Sequence, residues 1–128
     1  MLAEDMYREQ ILDYYRHPRN FGTLDAANAR AADWNPVCGD KMEMFVAVAN
    51  NRISDIKFMG SGCAISISSA SLLTEAVKGK HIDEAIKLDN DAFISELGVT
   101  LSPVRRKCAL LGLKVLKMAL VNYLSTAP

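Results

Sequence analysis

Three cysteines are the residues of this 128-residue chain whose side chains offer the most distinctive chemistry. Cys38 stands in the tripeptide Cys-Gly-Asp, so that Asp40 follows it by two residues. Cys63 follows Gly-Ser-Gly, and Cys108 follows the basic residues 105–107. Thiolate sulfur binds metal ions or attacks other sulfur atoms, and a carboxylate adds a harder oxygen ligand. These residue types and their settings predict one metal- and sulfur-handling site.

The charge around two of the cysteines predicts thiols that ionise easily. Positive potential lowers the pKa of a thiol. Cys63 precedes a predicted helix, whose N-terminal dipole is positive, and Cys108 follows three cations near the start of another helix. A free cysteine is also often a small buried hydrophobe, and Cys108 shares a helical face with Leu111 and Val115. A core role for Cys108 therefore stays open.

Hydrophobic periodicity predicts the elements that must position these residues. The predicted elements are a helix over 4–16, a short edge strand near 29–33, a β-hairpin with strands 41–48 and 52–59 around Asn50-Asn51, a helix from Cys63 to Gly79, short helices at 82–87 and 90–97, and a last helix from Ser102-Pro103 to about Leu124. The order predicts a single α+β domain over residues 1–128, with a small antiparallel sheet of about three strands and helices packed on one face.

The hairpin places Cys38 and Cys63 at the same end of the predicted sheet. Lys41 and Met59 are brought near each other by the turn at Asn50-Asn51, and each cysteine lies just outside the hairpin on that side. Cys108 joins them only if the last helix begins at that end, which the sequence permits.

Composition gives expectations about the surroundings of the protein. The chain has 15 basic and 15 acidic residues, which favours neither nucleic acid nor a membrane surface as a partner. Residues 1–10 lack the basic start and apolar run of a signal peptide. The apolar stretch 109–124 is interrupted by Lys114 and Lys117 and is shorter than the roughly 20 residues that span a bilayer. We therefore expect a cytoplasmic protein, where three cysteines favour metal or sulfur chemistry over disulfides.

The cysteine motifs resemble those of a known family. Residues 38–40 (Cys-Gly-Asp), 60–66 (Gly-Ser-Gly-Cys-Ala-Ile-Ser) and 106–108 (Arg-Lys-Cys) are similar to the three cysteine motifs of the IscU/NifU-N family of iron–sulfur cluster assembly scaffolds. Residues 18–22 (Pro-Arg-Asn-Phe-Gly) and 77–80 (Val-Lys-Gly-Lys) also resemble motifs of that family. The resemblance spans nearly the whole chain, in order, and implies an IscU/SufU-like fold.

The resemblance implies a scaffold rather than an enzyme. Such a protein accepts sulfur from a cysteine desulfurase and iron from a donor, assembles a labile [2Fe–2S] cluster, and passes it to apo-proteins. Cys38, Cys63 and Cys108 match the ligands and persulfide acceptors, and Asp40 matches the aspartate that tunes cluster lability. Durable clusters usually have four cysteine ligands, so three cysteines leave one position to oxygen, nitrogen or an outside ligand. A homodimer would be one source of outside ligands.

Lys107 departs from the IscU pattern, in which a histidine often precedes the last cysteine. A lysine there resembles the SufU branch, whose members bind zinc and accept sulfur. The SufU branch also carries an insertion, whereas only 44 residues separate Cys63 from Cys108, which resembles the IscU length. A SufU-like zinc-dependent sulfurtransferase, with Zn²⁺ in place of the cluster, is therefore the alternative function. Lys107 is expected to give electrostatic support to a thiolate, a persulfide or an anionic cluster.

The two histidines and residues 101–105 are not expected to take part in the metal- and sulfur-handling chemistry. His17 and His81 are expected to lie in a turn and at the start of a surface helix, without a metal role. Residues 101–105 (Leu-Ser-Pro-Val-Arg) resemble the Leu-Pro-Pro-Val-Lys chaperone-recognition motif with two substitutions, so an Hsp70-type partner is not expected. A third functional class also stays open, namely a binding module whose cysteines hold a structural zinc ion, as small metal-dependent domains do.

Overall fold

The elements of the fold follow the predicted order. The structure is a computed structural model that describes residues 3–126, with side chains from residue 8 onward. The described elements are α1 Ala3–Arg16, β1 Ala29–Asn35, β2 Asp40–Ala49, β3 Arg52–Ser61, α2 Ala64–Val77, α3 Ile82–Ile86, α4 Asn90–Glu96 and α5 Pro103–Thr126. The α+β prediction is confirmed, and each predicted helix and strand is present within a few residues of its expected bounds.

Three antiparallel strands form one sheet in the order β1-β2-β3. Asn50 and Asn51 join β2 to β3 with φ angles of 54° and 60°, which fits a two-residue turn with positive φ at both positions. Lys41 pairs with Ser61 and with Trp34, so the start of β2 lies beside the ends of the other two strands. This register puts the segments that carry Cys38 and Cys63 at one end of the sheet, as predicted.

The face of β2 that meets the helices is the predicted one, but Phe45 on the opposite face is also buried. Met42, Met44 and Val46 are almost fully buried in the core. Phe45, which the alternating pattern predicts to be outward, is 4% exposed, and the Arg30 guanidinium lies 4.8 Å from the centroid of its ring. A neighbouring strand therefore supplies a polar cover for an aromatic side chain that periodicity alone assigns to solvent.

Helix α5 is the central helix of the fold and packs on β1, β2 and α2. Gly112 lets it approach α2 closely, since a Cβ there would lie 3.2 Å from the Ala70 Cβ. By length and apolar composition this helix would suffice to cross a membrane, contrary to the expectation from its shorter apolar stretch. Half of its most apolar window is buried inside the protein, as in the core helix of a globular fold.

The segment between α1 and β1 covers part of the free edge of β3. The Phe58 N–H donates to Asn20 O, and the Gly22 N–H donates to Phe58 O, each at 2.9 Å. The rings of Phe21 and Phe58 meet edge to face with centroids 5.3 Å apart. The Asn-Phe-Gly motif therefore anchors the chain on the outer edge of β3.

Candidate metal centre

Cys38 lies at the tip of the turn that joins β1 to β2. The Gly39 N–H donates to Asn35 O at 2.8 Å, and the Asn35 side chain accepts from the Val37 N–H at 3.1 Å. Gly39 has a φ of 72°, a conformation that glycine adopts without steric cost. The turn holds Cys38 partly exposed, directly before the buried start of β2.

Cys108 reaches this turn from α5. Its Sγ lies 2.7 Å from the Cys38 Sγ, although 70 residues separate the two in sequence. Cys108 is fully buried, and neither cysteine forms a disulfide. The last helix therefore begins at the cysteine-bearing end of the sheet, which the sequence left undecided.

Asp40 connects Cys63 to the other two cysteines. Its side chain is fully buried, and Oδ1 accepts a hydrogen bond from the Cys63 N–H at 3.0 Å. Oδ2 lies 4.0 Å from the Cys63 Sγ. Gly62 permits this arrangement because a Cβ there would collide with the Asp40 carboxylate. The contact of Asp40 with the Cys63 backbone was not predicted from the sequence. The feature that could have indicated it is the glycine directly before Cys63 in Gly-Ser-Gly-Cys, which leaves room for the carboxylate.

The geometry groups three of the four predicted ligands most tightly. Ligand atoms of Cys38, Asp40 and Cys108 all lie within 4.8 Å of one another, and Cys63 stands next to Asp40 but outside this group. We refer to Cys38, Asp40, Cys63 and Cys108 together as the thiol–carboxylate site. A buried carboxylate among thiols fits a cation, because charge that is buried without a partner is costly. Sulfur and oxygen donors of this kind suit zinc or iron.

The expectation of an easily ionised thiol is wrong for Cys108. Burial raises the pKa of this thiol, and hydrogen bonding with Cys38 and with Asp40 raises it further. The three preceding cations do not offset these effects, since Arg105 and Lys107 are exposed and Arg106 is ion-paired with Asp91. A metal ion that binds the Cys108 sulfur would therefore have to displace a proton that is held more tightly than in a free thiol.

The remaining candidates are either exposed or engaged in helix caps. Lys107 is exposed on α5 and faces the groove between that helix and the end of β1. His17 is exposed after α1, whereas the His81 Nδ1 accepts from the Asp83 N–H at 3.2 Å and so caps α3. Ser102 accepts from the Arg105 N–H at 3.3 Å, which is the cap predicted for the last helix.

An α+β fold whose thiols and buried carboxylate meet at one end of the sheet defines a protein of the metal-handling class. Residues 6–127 match the family described as NifU-like N terminal domain, and the chain belongs to that family. It is 41% identical over 118 residues to the iron-sulfur cluster assembly scaffold protein IscU 1 of Archaeoglobus fulgidus, covering 92% of this chain and 76% of the relative. It is also 34% identical over 132 residues to the zinc-dependent sulfurtransferase SufU of Bacillus subtilis, covering 89% and 88%.

Solved structures have the same fold. A putative iron-sulfur cluster assembly scaffold protein for the SUF system from Fervidobacterium islandicum AW-1 superposes with a TM-score of 0.77 at 30% identity, covering 93% of this chain and 99% of that one. A NifU-like N-terminal protein from Brucella abortus gives a TM-score of 0.78 at 20% identity, covering 97% and 98%. The predicted IscU/SufU-like fold is thereby confirmed.

Proposed function

We propose that this protein is a scaffold on which an iron–sulfur cluster is assembled and from which it is released. The cluster, a [2Fe–2S] unit, is cargo rather than a permanent cofactor. Cys38, Cys63 and Cys108 serve as its thiolate ligands and as acceptors of persulfide sulfur, and Asp40 serves as the fourth ligand. The protein is a carrier and does not itself turn over a substrate.

The observation that carries this proposal is the buried carboxylate of Asp40 among three thiols. A cluster held by four cysteines is durable, whereas a hard oxygen ligand on a soft cluster exchanges more readily. Cys38 and Cys63 are partly exposed, which gives sulfur and iron a route to the site. The scaffold function of the IscU relatives supports the same proposal.

Anaerobic reconstitution tests the proposal. The reduced protein is mixed with ferrous iron, cysteine, a purified cysteine desulfurase and dithiothreitol, which supplies the electrons that convert persulfide sulfur to sulfide. We expect the visible absorption and circular dichroism spectrum of a [2Fe–2S] cluster. The loaded protein is then mixed with an apo-ferredoxin, and transfer is followed by the change in the spectrum. A protein that never acquires iron under these conditions would exclude the scaffold function.

Asp40→Ala tests the role of the carboxylate in release. We expect the variant to hold its cluster and to transfer it to apo-ferredoxin about tenfold more slowly, which corresponds to roughly 1.4 kcal/mol of added barrier. Asp25→Ala is the matched control, because Asp25 is an exposed aspartate of the segment before β1. Equal transfer rates in the two variants would remove Asp40 from the mechanism.

Zinc-dependent sulfur transfer is the second candidate, favoured by Lys107 before Cys108 and by the SufU relative. In that case Zn²⁺ would occupy an S₃O site at Cys38, Asp40, Cys63 and Cys108, and would supply fixed geometry and thiolate stabilisation. Elemental analysis of protein purified without oxygen distinguishes the two functions. Stoichiometric zinc, together with persulfide formation and no cluster, would favour the sulfurtransferase.

A purely structural zinc site has less support. The core formed by the sheet, α2 and α5 contains large buried side chains such as Phe58, Leu113 and Leu116 that do not depend on the thiols. That single core also supports our proposal that the chain forms one domain. We expect the fold to persist in the presence of a chelator, and unfolding by EDTA followed by circular dichroism would favour the structural role.

The proposed function defines the classes of partner. A cysteine desulfurase would supply the sulfur, and apo-proteins or carriers would accept the cluster. A homodimer is compatible with two partly exposed cysteines and is tested by sedimentation of the loaded protein. Three free thiols fit a reducing compartment such as the cytoplasm.

A further inference from the structure

A groove runs beside the thiol–carboxylate site, between the end of β1 and the outer side of α5. It has a volume of about 700 Å³, and its apolar lining includes Trp34, Leu110, Met118 and Val121. Along α5 it extends from residue 107 to residue 121, which corresponds to about 21 Å at the rise of an α-helix. About six residues of extended chain span that length.

The rim of this groove is basic. Lys107, Lys114 and Lys117 line it together with the single carboxylate Asp33. Lys114 forms an ion pair with Asp33 at 2.7 Å, and Lys117 donates to Leu88 O. Among the side chains that the structure describes, those of residues 8–126, no ion pair or hydrogen bond engages the Lys107 ammonium group. We call this feature the lysine groove; its charge is complementary to acidic side chains.

The strand that borders the lysine groove has an open edge. β1 is an edge strand, and no strand in the described part of the chain pairs with its outer side. The Trp34 N–H donates to the Asp33 side chain at 2.8 Å rather than to a neighbouring strand. Trp34 itself is 56% exposed. A half-exposed tryptophan beside an open edge is the kind of surface that binds an extended peptide.

We propose that the lysine groove binds an extended acidic segment of a partner protein that carries an apolar side chain at its centre. The apolar side chain packs on Trp34 and Leu110, and flanking carboxylates pair with Lys107 and Lys114. Because Trp34 lies four residues before Cys38 and Lys107 directly precedes Cys108, the bound partner stands beside the thiol–carboxylate site. The use of this contact for sulfur or cluster transfer rests on the proposed function, but the binding does not.

A peptide titration of the reduced, metal-free protein tests this proposal. The probe is the capped peptide Glu-Asp-Leu-Val-Leu-Asp-Glu, and amide shifts are followed by ¹⁵N NMR at low ionic strength. We expect saturable shifts at Trp34 and Leu110 that weaken as salt is added. Lys107→Glu should lower the affinity by about fivefold or more, because it places a negative charge on the rim. Lys80→Glu makes the same charge change on an exposed lysine outside the groove and should leave the affinity unchanged.

Three results would overturn the proposal. The first is a lack of saturable shifts in the groove, and the second is equal binding of a peptide with lysine in place of every acidic residue. The third is a change of the same resonances on dilution without peptide, which would assign the groove to a second copy of the chain. Cluster assembly is measured separately on the unaltered protein, so that failure of peptide binding leaves the scaffold function standing.

Discussion

Gly62→Ala is the substitution whose effect on the thiol–carboxylate site can be worked out most fully. A Cβ at this position would collide with the Asp40 Oδ1, and would lie 2.8 Å from the Asp40 Cγ and 2.7 Å from the Ser66 Oγ. Asp40 and Ser66 are both buried, so neither side chain moves away freely. The Asp40 carboxylate must therefore rotate and give up its hydrogen bond from the Cys63 N–H.

The magnitude follows from a comparison with Gly79→Ala. Both glycines have positive φ angles, but a Cβ on Gly79 would meet no atom within 4 Å. Gly79→Ala should therefore lower the free energy of unfolding only through backbone strain, by about 1–2 kcal/mol. Gly62→Ala should lower the free energy of unfolding by about 1.5–3 kcal/mol more, because it also removes a hydrogen bond to a charged group. For a domain of this size each kcal/mol lowers the melting temperature by about 3–5 °C.

Two measurements on the reduced protein check this reasoning. Urea denaturation gives the free energy of unfolding of each variant, and Co²⁺ titration reports the thiolate site through its sulfur-to-metal charge-transfer bands. Gly62→Ala should be the less stable variant and should give an altered Co²⁺ spectrum, whereas Gly79→Ala should keep the native spectrum. If the two variants are equally stable and bind Co²⁺ alike, the collision with Asp40 does not control the site.

Three further predictions concern the fold around the site. Asn51→Gly should stabilise the protein by about 0.5–1 kcal/mol in urea denaturation, because glycine meets the positive φ of the turn at less cost; a loss of stability would contradict the turn assignment. Phe58→Ala should cost about 3–5 kcal/mol in the same assay, since its fully buried ring leaves a cavity, and a loss below 1 kcal/mol would contradict its core position. Lys114→Ala should raise the pKa of the Asp33 carboxyl, as measured by NMR titration, because Lys114 now holds that pKa below its usual value. The contribution of this pair to stability is present above the unfolded pKa and is lost as the pH falls through the folded pKa, so an unchanged titration would contradict the ion pair.

Local sequence signals predicted most of the fold. Asn50-Asn51 between two alternating runs specified the β2–β3 hairpin, and the hairpin register put Cys38 and Cys63 at one end. Ser102-Pro103 specified the start of α5. These features depend on neighbouring residues, so they can be read without knowledge of the tertiary structure.

Contacts between distant residues could not be predicted in the same way. The contact of Cys108 with Cys38 spans 70 residues and depends on how α5 packs on the sheet. The raised pKa of Cys108 follows from that burial, and it reverses what the adjacent cations imply. Phe45 is covered by Arg30 from the next strand, which alternation within β2 does not reveal. In each case the missing information is which element packs against the residue.

The placement of the ligands on separate elements has a consequence for the loaded and empty states. Cys38 belongs to a turn, Cys63 to the junction of β3 and α2, and Cys108 to α5, so a bound cluster closes two long loops of the chain at once. Loading should therefore slow hydrogen exchange at this end of the sheet, while the opposite end at Asn50-Asn51 stays unchanged. Departure of the cluster would remove these cross-links together, and partners would thus meet a more mobile end in the empty scaffold than in the loaded one.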